Sequence, residues 1–360
     1  MDPYGPLGQE GIHERESLSR PRPMIQISLD ELHDLIVQTL VRSRTSPLNA
    51  QAVARALCAA EADGHPAHGA SRAPFYADQA RSGKVDGMAT PFVDRSAPGV
   101  LRVDARNGFA YPAVAAGIER VHDLVAAAGV VAVSVTNSHH LGMVGYHIEP
   151  LAERGFLTLA FSNSPAGIAP WGGNAAVFGT NPIALAAPRE HDPPLVIDLS
   201  MAQVARGKIM MAASRGESIP GDWALDTDGK PTTDAAAALA GTMMPMGGRK
   251  GAVLALLVEL LAAGLTGSRF GYEAGSFFTA DGPPPGIGHL FVVFNPQAFS
   301  SVPLAARVDQ LAAAILAQPG TRLPGNGRLA KRARAKREGV QVAETLLDDL
   351  RGRAATGGAS

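Results

Sequence analysis

The chain has 360 residues, 46% of them hydrophobic and 18% charged, enough to bury a large core and divide it between two domains. Thirty-two basic against 33 acidic side chains leave a formal charge of −1, so no overall field exists to hold a nucleic acid or an anionic membrane. Cys58, the single cysteine, excludes an internal disulfide, a cysteine-rich zinc site and an iron–sulfur cluster, and fits a reducing, cytoplasmic setting.

Residues 1–23 are polar, with scattered Pro and Gly and no apolar core of the kind a secretory signal carries, and read as a flexible arm. Structure is expected from Ser28, where Ser-Leu-Asp-Glu sets a capping hydroxyl three residues before a carboxylate and Leu32, Leu35, Ile36 and Leu40 follow at helical spacing. Pro47-Leu48-Asn49 breaks that helix, an alanine-rich helix runs from Gln51 to Ala62, and a third covers Pro74–Ser82. From Gly99 the pattern becomes that of a sheet: Val100–Asp104 alternates, Pro112–Ala128 is a helix, and Val130–Val135 is a buried strand. Leu157–Ser162, Pro182–Ala187, Pro194–Ser200 and Leu290–Phe294 are further short strands. The longest apolar run, Gly251–Thr266, holds 16 residues with Glu259 inside it. It falls short of the roughly 20 apolar residues that cross a bilayer and reads as a buried helix.

After Pro303, Leu304, Val308, Leu311 and Ile315 form one helical stripe, and a final helix is expected from Ala330 to Arg351. The basic run Arg328, Lys331, Arg332, Arg334, Lys336, Arg337 has the composition of a nucleic-acid patch. Glu338, Glu344, Asp348 and Asp349 follow directly and favour the solvated face of a helix. The whole is therefore α/β: a sheet-bearing domain over 99–303, a discontinuous helical domain from 24–98 and 304–352, and a flexible tail over 353–360.

Three polar, glycine-rich segments carry the chemistry. Asp63-Gly-His-Pro-Ala-His-Gly-Ala-Ser-Arg72 sets two histidines and an arginine in a turn. Arginine grips carboxylates through a planar fork and histidine titrates near neutrality, so His68 and Arg72 can protonate and anchor a small keto or imino acid; exposed turn residues are the plain alternative. Asn137-Ser-His-His-Leu-Gly-Met-Val-Gly-Tyr146 follows a strand and opens a helix whose amides favour phosphate, yet it is not a G-x-G-x-x-G fingerprint. His139 and His140 with His65 or His68 lack the carboxylate pattern of a metal site, so no metal is expected. The third segment runs from Ser162 to Pro182, with Asp198 behind it at a strand end. That carboxylate binds a ribose hydroxyl, orients a histidine, or caps the helix that follows.

His68-Gly69-x-x-Arg72, His140-x-Gly142-x-x-Gly145-Tyr146 and Ala169-Pro-Trp-Gly-Gly…Gly179-Thr-Asn-Pro182 together resemble the malate/L-lactate dehydrogenase family of non-Rossmann NAD(P)-dependent oxidoreductases. Asp198, Gly207-Lys208, Pro245-Met-Gly-Gly248…Lys250-Gly251 and Arg322-Leu-Pro-Gly325 extend the resemblance over residues 28–328. Gly83-Lys-Val-Asp-Gly87, the first segment, and Phe277-Phe…Asp281-Gly-Pro-Pro-Pro…Ile287-Gly resemble most the Δ1-piperideine-2-carboxylate/Δ1-pyrroline-2-carboxylate reductases. The resemblance implies a homodimer, a non-Rossmann NAD(P)-binding sheet domain, and NADPH as cofactor with NADH as the alternative. It implies His68 as proton donor and Arg72 and Thr180 as substrate ligands. His140, Leu141, Gly142, Met143, Val144, Asp198, Leu199, Ser200, Lys208, Gly248 and Arg249 would then hold the cofactor. Three positions depart from the family pattern: Ala67 stands where Ser is frequent, Arg249 where a small residue is common, and Phe294-Asn295-Pro296 where an Asp-Pro pair is usual.

The activity so implied is NADPH-dependent reduction of Δ1-piperideine-2-carboxylate or Δ1-pyrroline-2-carboxylate to L-pipecolate or L-proline. The alternatives are an NAD(P)-dependent 2-hydroxy-acid dehydrogenase acting on malate, lactate, sulfolactate or ureidoglycolate, and a catalytically silent cofactor-binding dimer motivated by Ala67.

Overall fold

The computed structural model describes residues 23–355; nearly all of the arm expected over residues 1–23, and the last five residues of the tail, lie outside the described residues. Strand β1 (Met24–Ile27) precedes α1 (Leu29–Val41), so regular structure begins ahead of Ser28. The capping box forms as its spacing predicts, Ser28 Oγ accepting from the Glu31 amide while the Glu31 carboxylate accepts from the Ser28 amide. Helix α2 (Pro47–Ala62) starts at Pro47 itself, with Ser46 as its cap: at the first helical position a proline's missing N–H leaves nothing unsatisfied. Two 3₁₀ turns, Pro66–His68 and Ala70–Arg72, lead into α3 (Ala73–Ser82).

The sheet starts at β2 (Phe92–Ala97), earlier than the Gly99 its sequence suggests. This strand is a largely exposed edge, Phe-Val-Asp-Arg-Ser-Ala, and carries no apolar alternation to mark it. After β3 (Val100–Asp104), the expected single helix over Pro112–Ala128 is two, α4 (Ala110–Ile118) and α5 (Val121–Ala128). Alanine gives helix propensity throughout, but packing turns the chain: Gly117 leaves no room for a side chain against Val133, and Arg120 donates to the Val93 carbonyl on β2 at 3.1 Å. There follow β4 (Val130–Ser138), α6 (Val144–Glu153), β5 (Leu157–Ser162), β6 (Ile183–Ala187), β7 (Leu195–Leu199), α7 (Arg206–Arg215), β8 (Ala224–Leu225), α8 (Ala235–Ala240) and β9 (Thr242–Met243). Helix α9 (Arg249–Glu259) runs on into a π-helical turn, Leu260–Gly264, before β10 (Ile287–Phe294) and α10 (Leu304–Leu316).

The final helix expected from Ala330 to Arg351 is broken into α11 (Asn326–Glu338), β11 (Val340–Ala343) and α12 (Glu344–Ala355). Gly339, at φ +79°, ends α11, and the alternating Val340-Gln-Val then pairs antiparallel with β1. Helix α12 takes in residues 353–355 of the expected tail, where Arg353 bridges to Asp78 and Asp349.

The main sheet has the order β2-β3-β4-β10-β5-β6-β7, a mixed α/β sheet. Only β3 and β4 are parallel neighbours; β10 runs antiparallel to both β4 and β5, and β6 to both β5 and β7. Strands β3, β4, β5 and β7 therefore share one direction, and the loops after β4, β5 and β7 emerge on one side of the sheet. His289 on β10 ties two of these strand ends together, pairing with Ser138 at 2.9 Å and Ser162 at 2.8 Å.

Among the described residues three apolar cores result. One joins α1, α2 and α3 to β1, β11 and α12, with Phe109 and Tyr111 inserted; the second lies between the sheet and α4, α5 and α6; the third, around Ile168, Met201 and Ile209, packs α7 and α8 against α9. Two helices differ from their sequence reading. Helix α10 presents Leu311 to solvent at 60% exposure and is fastened beside the sheet through Asp309, which pairs with Arg189 on the loop after β6. The Gly251–Thr266 run is buried on one face only, through Ala252, Ala255 and Val258, while Val253, Leu254, Leu256, Leu257, Leu260 and Leu265 are exposed. Among the described residues no helix is long and apolar enough to cross a membrane.

Candidate active site

A cavity of about 1130 Å³ opens where the loops after β4, β5 and β7 face the turns between α2 and α3. Its size suits a dinucleotide half and a small substrate better than a small substrate alone. The first segment reaches it because α2 ends at Asp63, after which the two 3₁₀ turns aim His68 and Arg72 inward. Glu61 holds the bend by accepting the Ala70 amide at 2.8 Å.

Arg72 is set by two contacts. Its Nε donates to the Ala67 carbonyl at 2.7 Å and its guanidinium lies 4.8 Å from the Phe278 ring centre, while its Nη1 is buried with no hydrogen-bond partner among the described residues. A buried guanidinium N–H left without an acceptor is costly, and from a cavity wall it is able to donate to an anionic oxygen. Position 67 contributes its backbone oxygen here, which alanine supplies as well as serine.

His68 stacks on His140, ring centres 5.5 Å apart and planes 17° from parallel. The His140 Nδ1 pairs with the Tyr76 hydroxyl at 2.6 Å, and Phe277 covers the other side, 4.9 Å away. Desolvation first, then the Arg72 charge and His65, lower the His68 pKa to about 4. Desolvation, with Arg72 and the neighbouring histidines, pushes His140 well below the usual histidine range. Both imidazoles are neutral at pH 7. His139, expected beside His140 in any metal cluster, points away and bonds Gln79 at 2.7 Å.

Gly142 turns the chain at φ +69°, and a Cβ there would lie 2.6 Å from the Tyr111 hydroxyl, so only glycine lets Leu141, Gly142, Met143 and Val144 line the wall. The amides opening α6 are less free for phosphate than their sequence suggests. Asp198 reaches across from β7 and accepts the Gly145 amide at 2.8 Å, capping α6 rather than the helix that follows it in the chain. The carboxylate remains open to the cavity, as do Leu199 and Ser200 beside it. Thr180 is also on the wall, its amide donating to Ser164 Oγ at 3.0 Å.

Three expected cofactor residues are not on this wall. Lys208 lies on the exposed face of α7, whose inward side is taken by Ile209, and it is Gly207 that faces the cavity. Gly248 and Arg249 begin α9 next to the exposed Trp171. The sequence reading also missed Tyr76 and Gln79, which a helical wheel places on one face of α3, four and seven residues after Arg72. Arg328 and Arg332, read as part of a solvated face, are mostly buried against Asp63 and Glu149.

The wall suits a nicotinamide dinucleotide. It combines apolar surface from Leu141, Met143, Phe277 and Phe278 with the cations of Arg206, Arg322 and Lys331, and Gly142 allows close approach to the backbone. The malate/L-lactate dehydrogenase family profile matches residues 27–351. A (2R)-3-sulfolactate dehydrogenase (NADP(+)) of Chromohalobacter salexigens is 50% identical over 90% of this chain and 97% of its own. A Δ1-pyrroline-2-carboxylate/Δ1-piperideine-2-carboxylate reductase of Pseudomonas putida is 39% identical over 91% and 96%. The crystal structure of Δ1-piperideine-2-carboxylate reductase from Pseudomonas syringae superimposes with a TM-score of 0.86 at 37% identity, covering 91% of this chain and 99% of that one. The chain belongs to the malate/L-lactate dehydrogenase family, and it is an NAD(P)-dependent oxidoreductase.

Proposed function

We propose that this enzyme exchanges a hydride between NADPH and C2 of a small carboxylate, reducing the cyclic imino acids Δ1-piperideine-2-carboxylate and Δ1-pyrroline-2-carboxylate. The observation that carries the reading is the partnerless Nη1 of Arg72 beside His68. Arg72 takes the carboxylate through its fork, and Thr180 borders the same space. With its pKa lowered to about 4, His68 is neutral and, instead of giving the proton as the family resemblance implies, accepts a hydrogen bond from the already protonated ring nitrogen and so keeps C2 electrophilic. Phe277 and Phe278 keep water from the ring, while His140 to Val144 and Asp198 to Ser200 border the cofactor. The nicotinamide, when bound, supplies the hydride. NADH is the alternative donor.

A second reading, a 2-hydroxy-acid dehydrogenase, is favoured by the 50% identical sulfolactate dehydrogenase. There the neutral His68 accepts the hydroxyl proton directly. A panel of both cyclic imines, pyruvate, oxaloacetate and 3-sulfopyruvate, followed by loss of nicotinamide absorbance with NADPH and with NADH, separates the two. Faster turnover of the imines supports the first reading, and faster turnover of the oxo acids replaces it with the second. No turnover of any member leaves the silent cofactor-binding dimer.

We further propose that the exposed leucine face of α9 is where two copies meet, because so continuous an apolar strip on a monomer marks an interface. Light scattering on Leu257→Asp should report a smaller particle than the parent. The segments sharing the first core, from both ends of the chain, act in this reading as one lobe closing the cavity over the sheet. A cytoplasmic setting accords with Cys58, whose buried thiol is pushed by desolvation up to about 12.

A further inference from the structure

The motif Gly83-Lys-Val-Asp-Gly87 has no part in the chemistry described so far, and the fold binds it to the Phe277-Phe segment that borders the site. Lys84 follows α3 and is only 4% exposed. Its ammonium donates to the carbonyls of Ser276 (2.8 Å), Thr279 (2.9 Å) and Asp281 (2.9 Å) and to Thr279 Oγ1 (3.2 Å). From α3 itself, Gln79 Nε2 donates to the Phe277 carbonyl at 2.7 Å and Ser82 Oγ to that of Ala280 at 2.9 Å. Every carbonyl of the 276–281 loop except that of Phe278 is thus held from one short stretch of chain. Arg72 stands immediately before the other end of the same helix. The loop returns along α3 to lay Phe278 over the Arg72 guanidinium, with Phe75 edge-on to Phe278 at 5.6 Å.

We propose that Lys84 is a positioning residue for the carboxylate site, acting through Phe278. A ring on one face of a guanidinium excludes water there and leaves the planar edge for an anion, which strengthens the fork in a drier setting. A loop without regular structure, followed directly by Gly282-Pro-Pro-Pro-Gly286, does not hold a ring at that spot by itself. The buried ammonium does, since several acceptors converging on one donor fix several backbone positions at once. Methionine has nearly the same length and none of the donors, so it would leave these carbonyls unpaired.

This inference rests on Arg72 being the carboxylate anchor, and the experiment separates the two claims. The probe is picolinate, a planar ring carboxylate, titrated calorimetrically into the NADP-saturated full-length protein. Lys84→Met and Phe278→Leu should each weaken picolinate about tenfold, the scale of a desolvated cation–π contact. The double variant should lose no more than the weaker-binding single, because both changes remove the same ring contact. Amide exchange should speed up at 276–281 in Lys84→Met and not in Phe278→Leu. A folded Lys84→Met that binds picolinate as the parent does overturns the proposal. So do losses that multiply in the double variant, which would make Lys84 a distant charge only. Should Lys84→Met not fold, Thr279→Val removes one of the contacts; it should weaken picolinate measurably and non-additively with Phe278→Leu, and parental binding overturns the proposal. If the parent protein itself binds no picolinate, the assignment of Arg72 falls instead.

Discussion

His68 and Arg72 lie four residues apart, and their roles are coupled by charge. Arg72 is one of the groups that depress the His68 pKa, so a substrate carboxylate that neutralises Arg72 must raise it. The free enzyme should therefore show a group titrating near pH 4 in kcat/KM, with the corresponding group in kcat moved upward; identical pH profiles would mean that the anion does not sit on Arg72. His68→Ala should lower kcat by about 10²–10⁴ with NADPH affinity retained, as measured by fluorescence titration, and unchanged turnover would remove His68 from the chemistry. These two residues were legible because a turn packs them into one short motif. Their partners were not: His140, Tyr76 and Phe278 come from separate segments, and only the packing of α3 against the loop after β4 makes them neighbours.

At the scale of elements, the charged lattice between α11 and the body of the molecule decides where the cavity's far wall stands. Arg332 bonds Asp63 at 2.6 Å and Glu149 at 2.8 Å, and Arg328 bonds Glu149 through both terminal nitrogens. Burial alone would raise the Glu149 pKa; the hydrogen bonds from Arg328 and Arg332 hold it below the ordinary value. Asp63 is 1% exposed, so Arg332→Met should destabilise the fold by roughly 1–3 kcal/mol, read by urea unfolding, because it leaves that buried carboxylate with only the 3.2 Å contact from Arg328. A change within 0.5 kcal/mol would show the lattice to be slack. Sequence spacing exposed α1 with its cap, and the strands β3, β5, β6 and β7, because apolar period and turn residues are local signals. It did not expose β2, an edge strand of polar residues, or the division of the last helix at Gly339, where the alternation of Val340 and Val342 is short enough to pass for a helix turn. The exposed side of α9 was equally hidden, since leucine on an interface and leucine in a core read alike.

Across the whole molecule, the site sits where three separate cores meet, and its buried histidines pay for that position with acid lability. His68 and His147 are lowered to about 4 and His139 and His289 to about 3, each chiefly by desolvation. A histidine whose folded pKa is depressed takes up its proton in the unfolded chain first. Stability should thus be full above the ordinary value of 6.5 and fall as pH drops toward 4 and then 3, with more than one proton taken up per molecule on unfolding. Urea midpoints measured from pH 7.5 to 4.5 check this; a flat profile would mean that these rings are charged when folded. The overall α/β class was readable from composition and pattern. The placing of the strand ends was not, because it follows from the antiparallel insertion of β10 between β4 and β5, a pairing between residues more than a hundred positions apart. The most direct test of the account is a crystal structure of the ternary complex with NADP and picolinate. It should show the picolinate carboxylate bonded to Arg72 Nη1 and the ring nitrogen turned toward His68. A carboxylate held elsewhere in the cavity, with Arg72 Nη1 still unpartnered, would contradict it.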